Sequence, residues 1–283
     1  MVQEGGQEQA GTGKRGEMIV VSSAKGGIGR TVLAVNLAVA LSKNNRMQVG
    51  LLDGDFQFGD VCLAMDLHPT FTMKDVIDEV DRMDPFTLSG FLMHHGSGVK
   101  VMAAPERPEW ADLITPGSVE RVCDLLLSQL DYLIVDTAVG LPERTLQLME
   151  KADQVLQLTT LEMASIKSAK QMLETLETIG LRGKTSVVVN RATMESVIQA
   201  SHVPDILGEE TPFFVPNDFQ IVSSSLNIGI PFVQNHGKTE IAKAVFRMAE
   251  QLISRREITL FKPKAPSLIQ SIFNRAKNSA TFF

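Results

Sequence analysis

The sequence predicts a single doubly wound α/β domain with a mostly parallel central sheet flanked by helices. Three observations predict it. Short β-branched runs recur along the chain and end in polar or Gly-rich turns. Most are near-continuously apolar rather than alternating, as in strands buried on both faces. Segments with helical apolar spacing separate many of them, and that alternation is how parallel sheets are connected.

The first strand is read at Met18 to Ser22; a Gly-rich turn, Ala24 to Arg30, leads into a helix from Thr31 to Ser42. Further strands are read at Val49 to Leu52, Val99 to Ala103, Tyr132 to Val135, Gln154 to Thr159, Thr185 to Val189 and Phe213 to Val215. Helices are read at Pro116 to Gln129, Pro142 to Lys151, Met163 to Ile179 and Glu240 to Ser254. The Met- and His-rich stretch Asp66 to His95 follows no single period and reads as short helices in a variable connection. The domain is expected over residues 17–256, between a tail at 1–16 and a basic segment at 257–283.

A chain of 283 residues with 44% hydrophobic composition can bury one sizeable core. Its two cysteines, Cys62 and Cys123, lie far apart and suggest neither a disulfide framework nor a zinc site, so a reducing cytosol is expected. The first residues are rich in Gly, Gln and Glu, without the apolar core of a secretory signal, and read as a flexible tail. No apolar run reaches the roughly 20 residues that cross a bilayer. From Arg255 onward six basic residues meet one acid, Glu257, leaving +5 there and −11 on the rest of a chain whose net charge is −6. An acidic body argues against broad DNA binding; a basic end points to an anionic partner.

The chemistry starts at Lys25-Gly26-Gly27-Ile28-Gly29-Arg30-Thr31-Val32. Strand, glycine loop and helix in that order are the context of a phosphate loop. Glycines let backbone N–H groups curl around an anion, and the helix start adds partial positive charge. The Thr31 hydroxyl is placed for magnesium on the β- and γ-phosphates, so ATP with Mg2+ is the expected ligand. Three glycines alone would mark an ordinary β–α turn; Lys25, the spacing and Thr31 together separate this loop from one. Asp53 and Asp55 stand at the C-terminal end of the second strand, facing the crevice where α/β sheets bind ligands. The strand Tyr132 to Asp136 ends in an acid suited to holding magnesium through water; the alternative for Asp136 is a helix N-cap.

The loop resembles that of the MinD/ParA family of P-loop ATPases, the deviant Walker A form, in which the first lysine, here Lys25, reaches across a dimer to the partner's nucleotide. The resemblance implies that Asp55 positions the attacking water, that Asp53 lies near magnesium, and that Thr137 to Gly140 form a second switch. It also implies that Asn190, followed by Arg191, hydrogen-bonds adenine and that the backbone around Pro216 and Asn217 lines the base. Three positions depart from the family pattern. Ala24 replaces a glycine, Ala138 lies where many relatives have a proline, and Arg30 replaces the ordinary P-loop lysine. Arginine keeps the charge on a bulkier planar fork, so nucleotide binding is expected with weakened hydrolysis.

Asp53-Gly-Asp-Phe-Gln-Phe-Gly-Asp60, Pro142 to Thr145, Asn190-Arg191, Val215 to Asp218 and Asn227 to Pro231 together resemble the CpaE/TadZ branch. Those are localisation factors for type IVb (Flp/Tad) pilus assembly. The resemblance implies an ATP-dependent homodimer acting on pilus-assembly or other localised machinery. The alternatives are a scaffold without turnover, a MinD-like division-site or flagellar positioning ATPase, and a ParA-like partitioning ATPase. A nitrogenase-iron-protein relative is disfavoured, since its cluster-ligating cysteines stand near the switches and Cys123 lies well before Asp136.

At the C-terminus Leu268, Ile269, Ile272, Phe273 and Ala276 share about 140° of a helix circumference at ~100° per residue, flanked by Arg275 and Lys277. This suits an interfacial helix on anionic lipid, and residues 267–283 are read as a peripheral membrane contact or a docking helix. The expected location is cytoplasmic, at the inner face of the membrane or at a pole.

Overall fold

The computed structural model describes residues 15–43, 47–209 and 211–261. Contacts divide the chain into two units, Met1–Ala249 and Glu250–Phe283. The first holds the sheet. The described part of the second is the end of one long helix. The tail at 1–14 and the expected amphipathic segment at 267–283 lie outside the described residues.

Eight strands form one sheet: β1 Glu17–Ser23, β2 Val49–Gly54, β3 Met93–His94, β4 Lys100–Met102, β5 Tyr132–Thr137, β6 Gln154–Thr159, β7 Thr185–Val189 and β8 Phe213–Phe214. Their order is β3-β4-β2-β5-β1-β6-β7-β8. All pairs are parallel except the short β3 against β4. β1 lies between β5 and β6, and β2 pairs β5 with Asp53 opposite Asp136. That register sets the two buried acids side by side at the end of β1 where the glycine loop leaves.

The helices are α1 Arg30–Leu41, α2 Val61–Ala64, α3 Met73–Ile77, α4 Pro85–Ser89, α5 Pro116–Leu127, α6 Glu143–Lys151, α7 Met163–Thr178, α8 Val203–Leu207, α9 Phe219–Ile228, α10 Phe232–Asn235 and α11 Glu240–Phe261. Starts follow local chemistry: Asp84 accepts from the Thr87 N–H, and Thr115 from the Ser118 N–H, each with proline at the first helical position. α11 continues past the expected end at Ser254. α9 was missing from the sequence expectation.

Alternation along the strands builds two clusters side by side on one face of the sheet, since Val20 pairs with Val155, and Val155 with Thr185, two positions before Val187. Met18 and Val20 of β1 join Leu52, Leu133 and Val135 in one cluster with Val119, Val122 and Leu126 of α5 and Leu148 of α6. Leu161, Ile166, Ala169 and Leu173 pack with Val187, Val189, Val203 and Leu207 in a second. α1 is apolar almost all round and buried from Leu33 to Leu41, because it contacts β1, β2, β5, α2 and α10. Its one buried amide, Asn36, is satisfied: Oδ1 accepts from the Val233 N–H and Nδ2 donates to Val32 O. No helix among the described residues is long and apolar enough to cross a membrane.

Candidate functional site

The loop from Ala24 to Gly29 joins β1 to α1 at the centre of the sheet. Gly27 and Gly29 take left-handed φ values of 72° and 95°, a region open to glycine and costly to most side chains. Gly29 also occupies the N-cap of α1, with no side chain capping that end, so first-turn N–H groups are left for a ligand.

Below the loop the polar chemistry is dense. The Thr31 hydroxyl donates to Asp136 Oδ2 at 2.6 Å. Asp136 Oδ1 is buried without a partner among the described residues. Burial pushes the Asp136 carboxyl up to about 7, against the opposing pull of the Thr31 hydrogen bond and the Arg30 charge. Burial, and then the neighbouring Asp136, hold Asp53 well above the ordinary carboxylate range. Asp53 accepts from the N–H groups of Val61 and Asp55 at 3.1 and 3.3 Å. Gly59 packs on it so closely that any Cβ there would overlap the carboxylate.

Arg30 does not project freely into the loop. Its Nη1 donates to Ser23 Oγ at 2.8 Å, Nη2 stands 3.9 Å from Asp55 Oδ2, and the side chain is only 11% exposed. Ser23 in turn donates to Lys25 O at 2.7 Å, so one hydroxyl ties the fork to the loop backbone.

A cavity of about 420 Å³ opens beside the loop. It brings together Gly27, Gly29, Arg30, Thr31, Val32, Asp55, Asn190, Arg191, Pro216 and Asn217 from the sequence-predicted set. Lys25, Gly26 and Ile28 do not line it; Lys25 and Gly26 are exposed, and Ile28 is buried. Asp53 and Asp136 lie outside the lining, with Asp136 joined to it through Thr31. Asp136 caps no helix, since the N-cap of α6 is Pro142.

Asn190, expected to meet a base, points at the loop: Nδ2 donates to Ile28 O at 2.8 Å, and Oδ1 accepts from the Arg191 N–H at 2.9 Å. Sequence reasoning missed the apolar wall of the cavity, Phe219, Val222 and Leu226 of α9 with Phe232, Ile241 and Val245. Asp218 accepting from the Ile221 N–H opens α9. An acid followed by apolar residues at Phe219, Val222 and Leu226 was the signal that could have found it.

The ParA family model, described as an NUBPL iron-transfer P-loop NTPase, matches residues 14–253. The chain belongs to the ParA family of P-loop NTPases. Iron transfer is part of that model's description. Here burial pushes the thiols of Cys62 and Cys123 up to about 12, which keeps them protonated near neutral pH. The septum site-determining protein MinD of Thermotoga maritima is 27% identical over 84% of this chain and 88% of its own length. A ParA family ATPase from Chlorobium tepidum superposes with a TM-score of 0.79 at 23% identity, covering 84% of this chain and 99% of its own. MinD of Pyrococcus horikoshii, solved with Mg-ADP, superposes with a TM-score of 0.75 at 22% identity, covering 88% of this chain and 99% of its own.

Proposed function

We propose that this ParA-family chain is an ATP-binding, ATP-hydrolysing dimer switch that positions or regulates a localised cellular machine. One observation carries the reading: the Thr31 hydroxyl stands 2.6 Å from the buried Asp136 carboxylate beneath a glycine loop and a helix start that no side chain caps. Backbone N–H groups from Gly26 to Val32 take the phosphates, and the cavity beside Pro216 and Asn217 takes the base. Exposed Lys25 reaches the nucleotide of a second copy, which makes the loop a deviant Walker A. Asp55 orients the attacking water. Thr31, Asp53 and Asp136 would hold Mg2+, and the residues fit it: one oxygen of Asp136 has no partner among the described residues, and two neighbouring carboxylates are buried with Arg30 offsetting Asp136 only in part. The ion supplies neutralising charge at the phosphates when bound.

Two machines are compatible with this switch. The motifs shared with the CpaE/TadZ branch support pilus-assembly localisation. The likeness to Thermotoga maritima MinD along most of both chains supports placement of a division site equally well. In either case the protein is read as cytoplasmic, with residues 267–283 doubling their membrane contact on dimerisation.

A second reading, an ATP-binding scaffold without turnover, is favoured by the Arg30 fork held on Ser23 and facing Asp55. Solution mass with and without Mg-ATP tests the switch; an unchanged mass in a protein not already dimeric refutes it. Phosphate release by wild type and by Asp55→Ala separates the readings. Turnover that is lost by about 10²-fold or more in the variant marks an enzyme, and no turnover in either marks the scaffold.

A further inference from the structure

We propose that Phe219, the first residue of α9, stacks on the nucleotide base; this rests on the nucleotide-binding reading above and gives one side chain of the cavity wall a role. Phe219 lines the cavity and is 72% exposed. Val222 and Leu226 follow it at helical spacing on one side of α9, and all three line the cavity. Among the residues of α9 only Ser225 is buried, so no core covers this apolar stripe. Phe232 and Val245 of the same cavity are buried. The apolar lining therefore runs from a closed floor to an exposed aromatic lip.

Phosphates do not suit that lip, since anionic oxygens against an apolar stripe lose water without gaining a hydrogen bond. A nucleobase does, because it presents a flat π-face. The position of Phe219 follows from how α9 begins. Asp218 Oδ1 accepts from the Ile221 N–H at 3.1 Å, and the Asn217 N–H donates to Thr193 Oγ1 at 3.0 Å, so the segment before α9 is tied on both sides. Cα–Cβ bonds tilt towards the helix N-terminus. The first helical side chain therefore leans back towards Pro216 to Asp218, the side of the cavity that takes the base. Stacking uses the ring face that every base offers, so Phe219 contributes affinity and leaves the choice between bases to polar edge contacts.

The test is titration of the full chain, at fixed Mg2+, with ADP and with inorganic pyrophosphate, which has no base. ADP lacks the γ-phosphate, which keeps base binding apart from ATP-driven dimerisation. Phe219→Ala should weaken ADP by about tenfold and leave pyrophosphate unchanged. Phe219→Leu keeps apolar bulk without a π-face and should recover only part of that loss. Phe219→Trp should recover all of it, with fluorescence that ADP quenches and pyrophosphate does not; the one native tryptophan, Trp110, lies outside the cavity lining. Thermal melting checks the fold of each variant. An equal loss for pyrophosphate shows that Phe219 acts through the phosphate loop and overturns the stacking role. Unchanged ADP affinity in Phe219→Ala overturns it too, whether or not the Mg-ATP-dependent dimer weakens, and leaves nucleotide binding standing. Wild-type protein that binds neither ligand, or pyrophosphate alone, overturns nucleotide binding and the stacking role together.

Discussion

Arg30→Lys should lower stability and raise turnover, two effects of opposite sense from one substitution. The Arg30 side chain is 11% exposed, and its Nη1 donates to Ser23 Oγ at 2.8 Å. A hydrogen bond from a charged donor contributes about 1.5–3 kcal/mol, and a lysine of one-point geometry recovers part of it. The 3.9 Å approach to Asp55 adds little. The net loss is then about 1–2 kcal/mol, a fall in Tm of roughly 2–8 °C for a domain of this size. Lysine releases Ser23 and presents a compact charge to the phosphates. A gain of about 1.4 kcal/mol in transition-state stabilisation would raise turnover roughly tenfold. Nucleotide-free thermal melting and Mg-ATP-dependent phosphate release measure the two effects separately. An unchanged or higher Tm would refute the anchoring of the fork on Ser23. A lower Tm with unchanged turnover would refute the claim that this anchoring limits hydrolysis.

Gly59→Ala places a Cβ 2.5 Å from Asp53 Cγ, and Asp53 cannot recede because Val61 and Asp55 N–H groups hold it; urea unfolding should report a loss of about 1–3 kcal/mol, and unchanged stability would show that the loop from Phe56 to Asp60 gives way freely. His95 accepts at Nδ1 from the Ser97 N–H at 3.2 Å, and partial burial lowers its pKa below the ordinary 6.5. A base whose folded pKa is lowered favours the folded state above the unfolded value, so stability should fall as pH drops through 6.5 towards the folded pKa. Urea unfolding of wild type and His95→Gln at about pH 7.5 and 5.5 reads this out, and equal acid losses in both would refute it.

The fold was legible where local pattern and tertiary burial agree. β1, β2, β5, β6 and β7 are central strands buried on both faces, so their apolar runs are long and unbroken. β4 lies within the expected strand Val99 to Ala103, whereas the edge strand β3 is two residues long, with His94 exposed, and too short to show a period. β3 was accordingly folded into the variable stretch ending at His95. α9 was overlooked for a different reason. It carries three consecutive serines, Ser223 to Ser225, and among its residues only Ser225 is buried, since its apolar side faces a cavity rather than the core. A helix that lines an open pocket lacks the packed apolar stripe by which helices are found.

At the site, residue identity was legible and residue orientation was not. The glycine loop, Thr31 and the acids ending β2 and β5 lie at fixed positions after strands, so strand order alone delivers them to one point. The Thr31–Asp136 contact follows from that order even though 105 positions separate the two residues. What Arg30 and Asn190 touch depends instead on rotamers and on the approach of β7 to the loop. Arg30 could have faced the phosphates, as the lysine it replaces does, but the Ser23 hydroxyl one residue beyond the expected strand end offers its fork an acceptor. Asn190 lies 162 positions from Ile28, and the amide meets the loop because Gly29 has no side chain to keep it away. Both contacts engage backbone or a small hydroxyl, groups that leave no mark in a sequence pattern. The bond to Ile28 O uses one of the two Nδ2 protons, so an amide at the end of β7 can hold the loop and still present a second N–H to the cavity.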